Sequence, residues 1–159
     1  MDIEEKIMGL LNNLDNSYYR LILIVGAGGS GKTDILKSIA DQCGTYVNLG
    51  LALSEKLLEY PIEERAYKAT DCLREILNSI EKEPLLIDNI ELLFAPHLKL
   101  NPLSLLKHES RYRKIVAAWP GRFENDKLIY AEYGHPEYKT YGKNGIEVPI
   151  LDLERRQIQ

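Results

Sequence analysis

Apolar positions recur at helical spacing from the start of the chain. Ile3, Ile7, Leu10, Leu11 and Leu14 fall on one face of a helix predicted over 2–16. Such a stripe is read as packing on the domain's own core rather than on a partner. The pattern then changes. Residues 19–25 form a nearly unbroken β-prone run, as a strand buried on both faces of a parallel sheet requires. A glycine-rich loop follows, then a helix over 32–42 with Ile35, Leu36, Ile39 and Ala40 inward and Gly44 at its end.

The alternation continues. A second strand is predicted over 45–49, and Ser54 is read as the cap of a short helix that stops near Pro61. A longer helix over 62–82 carries the stripe Ile62, Ala66, Ala69, Leu73, Ile76, Leu77 and Ile80. Pro84 opens a third strand over 85–88, and a helix over 102–112 precedes a fourth strand over 115–119. A fifth strand is predicted over 127–133. The tail, 138–159, is read as irregular, with a short strand near 147–151 and a frayed end over 154–159. Strands alternating with helices imply an α/β fold, with a parallel five-stranded sheet flanked by helices. Residues 1–159 are read as a single domain without internal repeat or linker.

Composition narrows the function classes. The chain has 159 residues, 20 basic against 24 acidic, for a net charge of −4. That removes a global basic footprint for nucleic acid and leaves a local patch open. No apolar run reaches the ~18 residues of a membrane span. The acidic start, Met1 to Glu5, lacks the basic-then-apolar order of a secretory leader. Cys43 and Cys72 are the two cysteines, with no CxxC, which argues against a disulfide framework or a zinc site. A cytoplasmic protein with reduced thiols is expected.

The loop after the first strand carries the strongest chemistry. Gly26-Ala27-Gly28-Gly29-Ser30-Gly31-Lys32-Thr33 matches the full Walker A pattern, with a strand before and a helix after. Glycines allow successive N–H groups to turn toward phosphate oxygens. The helix that follows adds its positive N-terminal end, where Asp34 stands beside the loop. Lys32 brings a cation to the β- and γ-phosphates, and the Thr33 hydroxyl suits Mg²⁺. ATP is the expected nucleotide, with GTP less favoured.

Leu85-Leu86-Ile87-Asp88 reads as a Walker B strand, with Asp88 holding Mg²⁺ through a water at the strand's C-terminal end. P-loop ATPases of the additional-strand class often place a glutamate next, to activate water. Here that position is Asn89, which cannot accept a proton at neutral pH. Glu91 is the nearest carboxylate and stands either as the replacement base or as a solvated turn residue. The candidate catalytic set is therefore Lys32, Asp88 and Glu91. Asn48 is read as a strand-terminal turn residue rather than a nucleotide sensor.

Trp119-Pro120 occupies the place where AAA+-like ATPases often carry a small polar sensor, and no C-terminal helical lid is read. Arg111, Arg113, Lys114 and Arg122 form a basic rim, with an arginine finger as the alternative. His135 stands near Glu132 and Glu137, without zinc spacing, and is read as part of a turn. His97 and His108 are read as surface residues.

Taken together, several stretches resemble the BrxF family, small P-loop proteins of BREX anti-phage defence systems. They are 23–33; Tyr46-Val47-Asn48-Leu49-Gly50 with Leu53-Ser54; 86–94; Val116-Ala117-Ala118-Trp119-Pro120-Gly121; and Tyr130-Ala131-Glu132-Tyr133-Gly134-His135-Pro136-Glu137-Tyr138. The resemblance implies an ATP-binding and ATP-hydrolysing accessory component of a phage-defence complex acting on DNA, working beside a large ATPase, a DNA methyltransferase and a phosphatase-like protein. DNA contact would then be indirect, and self-association stays open. Two other classes remain: a kinase acting on a small molecule or nucleotide, and a non-hydrolysing, nucleotide-gated interaction module.

Overall fold

A computed structural model describes residues 2–155 and 157–159. In chain order the elements begin with α1 (Ile3–Asn12), β1 (Leu21–Val25), α2 (Lys32–Gln42), β2 (Thr45–Asn48), α3 (Leu49–Leu57) and α4 (Ile62–Asn78). Then come β3 (Leu85–Asp88), two 3₁₀ turns (Glu91–Phe94 and Pro96–Leu98), α5 (Pro102–Glu109) and β4 (Ile115–Trp119). The last part holds β5 (Arg122–Glu124), β6 (Lys127–Tyr130), β7 (Lys139–Gly142), α6 (Lys143–Ile146), β8 (Ile150–Asp152) and β9 (Gln157–Ile158).

The main sheet has the order β2-β3-β4-β1-β8-β9. Its first five strands run parallel, and β9 closes the edge antiparallel to β8. The run Leu21–Val25 is apolar throughout because both of its faces are covered. Leu21, Leu23 and Val25 join one core with α3, α4 and α5, while Ile22 and Ile24 join a second core with α1 and α2. Side chains alternate across a strand, so burial on both faces removes the polar half of the pattern. The stripe of α1 packs inward as expected, with Ile3, Ile7, Leu11 and Leu14 buried and Leu10 partly so.

The fifth parallel strand is β8, not 127–133. β6 instead lies in a separate antiparallel sheet, β5-β6-β7. The reason is local. Asn125 and Asp126 both adopt positive φ, +52° and +60°, which makes a two-residue hairpin turn whose twist matches the flanking strands. The short segment between Trp119 and Lys127 also cannot make the crossover of a dozen or more residues that a parallel neighbour needs.

The tail is likewise not irregular, because β7, α6, β8 and β9 lie within it. The strand expected near 147–151 is realised as β8. Of the end expected to fray, β9 pairs with β8, and residue 156 lies outside the described residues.

Helix boundaries move for identifiable reasons. Ser54 does not cap a helix. α3 begins at Leu49 because Asn48 is the stronger cap, its Oδ1 accepting the Leu51 amide at 3.2 Å. Ser54 Oγ sits inside that helix and donates to the Leu51 carbonyl. α4 ends at Asn78, four residues short of the expected 82, and Ile62 at its first turn is 68% exposed rather than part of the buried stripe. α5 ends at Glu109 rather than 112.

Candidate functional site

The glycine-rich loop leaves the C-terminal end of β1 at the middle of the sheet, and β3 ends beside it with β4 between them. Gly29 and Gly31 take φ of +79° and +99°, conformations a side chain would strain. Gly26 is needed for a different reason. A Cβ there would stand 2.6 Å from Ser30 Oγ and 3.3 Å from Leu153 Cβ. Gly31 then caps α2, so the loop runs directly into the helix N-terminus.

Lys32 folds back on this loop. Its Nζ donates to the carbonyls of Gly26 and Ala27, the second at 3.0 Å. Burial lowers its pKa from the usual lysine value, and the negative fields of Asp88, Glu91 and Glu154 act against that shift.

Asp88 ends β3 almost fully buried, at 3% exposure. Three donors hold its carboxylate. Thr33 Oγ1 donates to Oδ2 at 2.6 Å, Tyr46 OH donates to the same oxygen at 2.7 Å, and the Asn89 amide donates to Oδ1 at 3.0 Å. Burial, followed by the bond to Asp88, pushes the Tyr46 phenol up to about 12, so it remains a donor across the physiological range.

Lys32, Thr33, Asp88 and Asn89 line a cavity of ≈ 540 Å³, together with Gly28, Gly29, Gly31, Asp34, Glu91, Ala118, Pro120 and Tyr130, while Tyr46 stands behind Asp88 outside the lining. Of the residues singled out from sequence, Gly26, Ala27 and Ser30 form the loop rather than the lining. Glu91 reaches the cavity from the first position of a 3₁₀ turn and is exposed. Phe94, on the same turn, stacks on Tyr130 with ring centroids 3.8 Å apart, so the second sheet closes one wall. The Tyr130 phenol is also pushed up, first by burial and then by the field of Glu137.

The remaining candidates are employed elsewhere. Asn48 caps α3. Arg113 binds the Leu77 and Ile80 carbonyls at the end of α4 and pairs with Glu83, while Lys114 pairs with Asp15. Arg111 lies 4.1 Å over the Tyr18 ring, and Arg122 pairs with Glu124 and Glu132. No arginine lines the cavity among the described residues. His135 Nδ1 accepts the Glu137 amide within a turn, His97 lies on a 3₁₀ turn, and His108 stands 3.9 Å from Glu109.

The residues present fit magnesium. Thr33 and Asp88 offer oxygens side by side, and a buried carboxylate already held by hydroxyls suits a hard cation. Magnesium keeps several of its waters and takes few protein ligands, so the lack of any larger acidic or histidine cluster among the described residues is compatible with it.

Two residues escaped the sequence reading, Tyr46 and Tyr130. Tyr46 had a faint signal. It lies two positions before Asn48, and β2 pairs with β3 so that Tyr46 is level with Leu86 and Asn48 with Asp88. Tyr130 had none, because its place depends on the hairpin.

The structure is an α/β fold with a parallel five-stranded sheet flanked by helices, and a glycine-rich loop of Walker A pattern follows β1. No protein-family model and no curated protein matches the chain. Among solved structures, one described as C. elegans PCH-2 is similar at 19% identity with a TM-score of 0.42, over 77% of this chain. The chain spans 37% of that structure's length. Among the described residues no helix is long and apolar enough to cross a membrane.

Proposed function

We propose that the chain binds ATP with magnesium in this cavity and hydrolyses it slowly, or with help from a partner. The observation that carries the reading is the 2.6 Å bond from Thr33 to Asp88, which joins the glycine loop to the end of β3 across 55 residues of sequence. The strand order supports it too, since β4 stands between β1 and β3 as in the additional-strand class of P-loop ATPases.

In this reading the amides of 28–33 orient the phosphates, and Lys32 exchanges its loop carbonyls for phosphate oxygens. Thr33 and Asp88 would hold the ion, Asp88 by way of water. Bound magnesium would offset charge on the phosphates. Glu91, which lines the cavity, would take the proton from water, since Asn89 has no basic site.

We further propose that the chain serves as an accessory component of a BREX-like defence complex acting on DNA, with nucleotide state gating assembly. The support is the family resemblance, and its two most distinctive stretches, 116–121 and 130–138, both border the cavity through Ala118, Pro120 and Tyr130. A large ATPase, a methyltransferase and a phosphatase-like protein are the proposed partners, and the cytoplasm is the proposed location.

Calorimetry with Mg-ATP, alongside a phosphate-release assay with and without duplex DNA, tests the first proposal. Lys32→Ala should weaken ATP binding by roughly 10- to 100-fold, the worth of a charged hydrogen bond. Unchanged affinity would sink the reading. Phosphoryl transfer to a small acceptor would replace it with a kinase. Binding without turnover under every condition would favour a nucleotide-gated module, the alternative that Asn89 supports.

A further inference from the structure

Three donors hold the buried Asp88 carboxylate. Two of its donors belong to the expected machinery or its neighbour in sequence, Thr33 and the Asn89 amide. The third, Tyr46 OH, comes from another strand and shares Oδ2 with Thr33 at 2.7 Å. Tyr46 is itself fixed from several sides. Its backbone is in register with Leu86 on β3, its ring packs against the core under α2, and the Lys37 ammonium lies 5.1 Å from the ring centroid.

A carboxylate that reaches a cation through water acts by direction. Its oxygen must present a lone pair where the bound water stands, and rotation about its last bond destroys that aim. Neighbours that hydrogen-bond a metal-site group fix such orientations. Thr33 alone would not fix this one, because its hydroxyl would turn to the cation when one binds. Tyr46 lies on the sheet and stays.

We propose that Tyr46 is a positioning residue that aims the Asp88 carboxylate and so sets the magnesium requirement of nucleotide binding. The inference rests on the nucleotide-binding reading above. It predicts an effect confined to the metal-dependent part of affinity, because Tyr46 does not line the phosphate cavity.

The test uses the full chain and a non-hydrolysable ATP analogue, titrated calorimetrically over a series of free Mg²⁺ concentrations and in EDTA. Tyr46→Phe keeps the ring and removes the hydroxyl. It should raise the Mg²⁺ concentration at half-effect by roughly tenfold, the scale seen when a group that orients a metal ligand is removed, and leave affinity in EDTA unchanged. Lys37→Met disturbs the ring's packing but spares the hydroxyl, and should leave the Mg²⁺ series unmoved. An unmoved series in Tyr46→Phe overturns the inference. So does loss of affinity in EDTA, or an equal shift in Lys37→Met, since either makes Tyr46 a packing residue. A wild-type chain that binds no analogue in either condition overturns the underlying reading instead, and is told apart by that.

Discussion

Asn89 stands at φ +58° immediately after Asp88 and donates its amide hydrogen to the Asp88 carboxylate at 3.0 Å. From sequence, Asn89 reads as a lost catalytic glutamate. The structure gives it a conformational reason. The chain leaves β3 through a left-handed residue, and asparagine tolerates that region far better than most side chains. Turning there brings the Asn89 carbonyl against α3, where a Cβ on Gly50 would meet it at 2.8 Å.

Restoring the expected glutamate should therefore fail. Asn89→Glu is expected to lower stability by about 1 kcal/mol, the cost of a left-handed conformation for an ordinary side chain, without raising phosphate release. Asn89→Gly should melt close to wild type. Thermal denaturation of the two variants checks the first part and a phosphate-release assay the second. A glutamate variant that is both stable and faster would show that the position is catalytic after all.

The contrast between Asn89 and Lys32 explains what could be read in advance. Lys32 was legible because its spacing, strand and helix are all local in sequence. The inner strand β1 was legible for the same reason. β8 was expected as a short strand near 147–151 but not as the fifth strand of the main sheet, since it has three residues and ends in a buried Asp152. The β5–β6 hairpin was missed because Asn125-Asp126 is a weaker turn signal than Asn-Gly. Tyr46 was only faintly legible as a site residue, since its role arises once β2 and β3 lie side by side. Conformation at Asn89 was hidden too, because residue type alone does not separate a chemical choice from a backbone one.

The second sheet should tolerate very little at its root. Gly121 lies against β6 so closely that a Cβ would fall 1.8 Å from the Ile129 carbonyl oxygen, and that same oxygen accepts the Trp119 indole N–H at 3.1 Å. The obstacle is backbone and cannot swing aside. Gly121→Ala is expected to cost about 3 kcal/mol, at the upper end of overpacking penalties. It should also weaken ATP binding, because Tyr130 on β6 walls the cavity. Gly145→Ala, with nothing within 4 Å of its Cβ position, is the matched control and should leave nucleotide binding intact. Melting curves with and without Mg-ATP measure both effects.

The role of Glu91 separates the proposed turnover from nucleotide binding alone. Asp88 is buried and held by three donors, and in the proposed reading its remaining lone pair goes to magnesium-bound water rather than to a proton. Asn89 has no basic atom. Asp34 also lines the cavity but belongs to the first turn of α2, at the phosphate-binding end of the site. Glu91 is exposed, starts the turn that follows Asp88, and shares the cavity wall with Pro120 and Tyr130. If it takes the proton, Glu91→Gln should lower phosphate release by ~10²–10⁴-fold, the range a positioned acid–base group supplies, while Mg-ATP affinity stays within about twofold. That split separates it from Lys32→Ala, which loses affinity first. Equal phosphate release by Glu91→Gln and the wild type would make Glu91 a surface residue, and any turnover would then need a base from outside this chain.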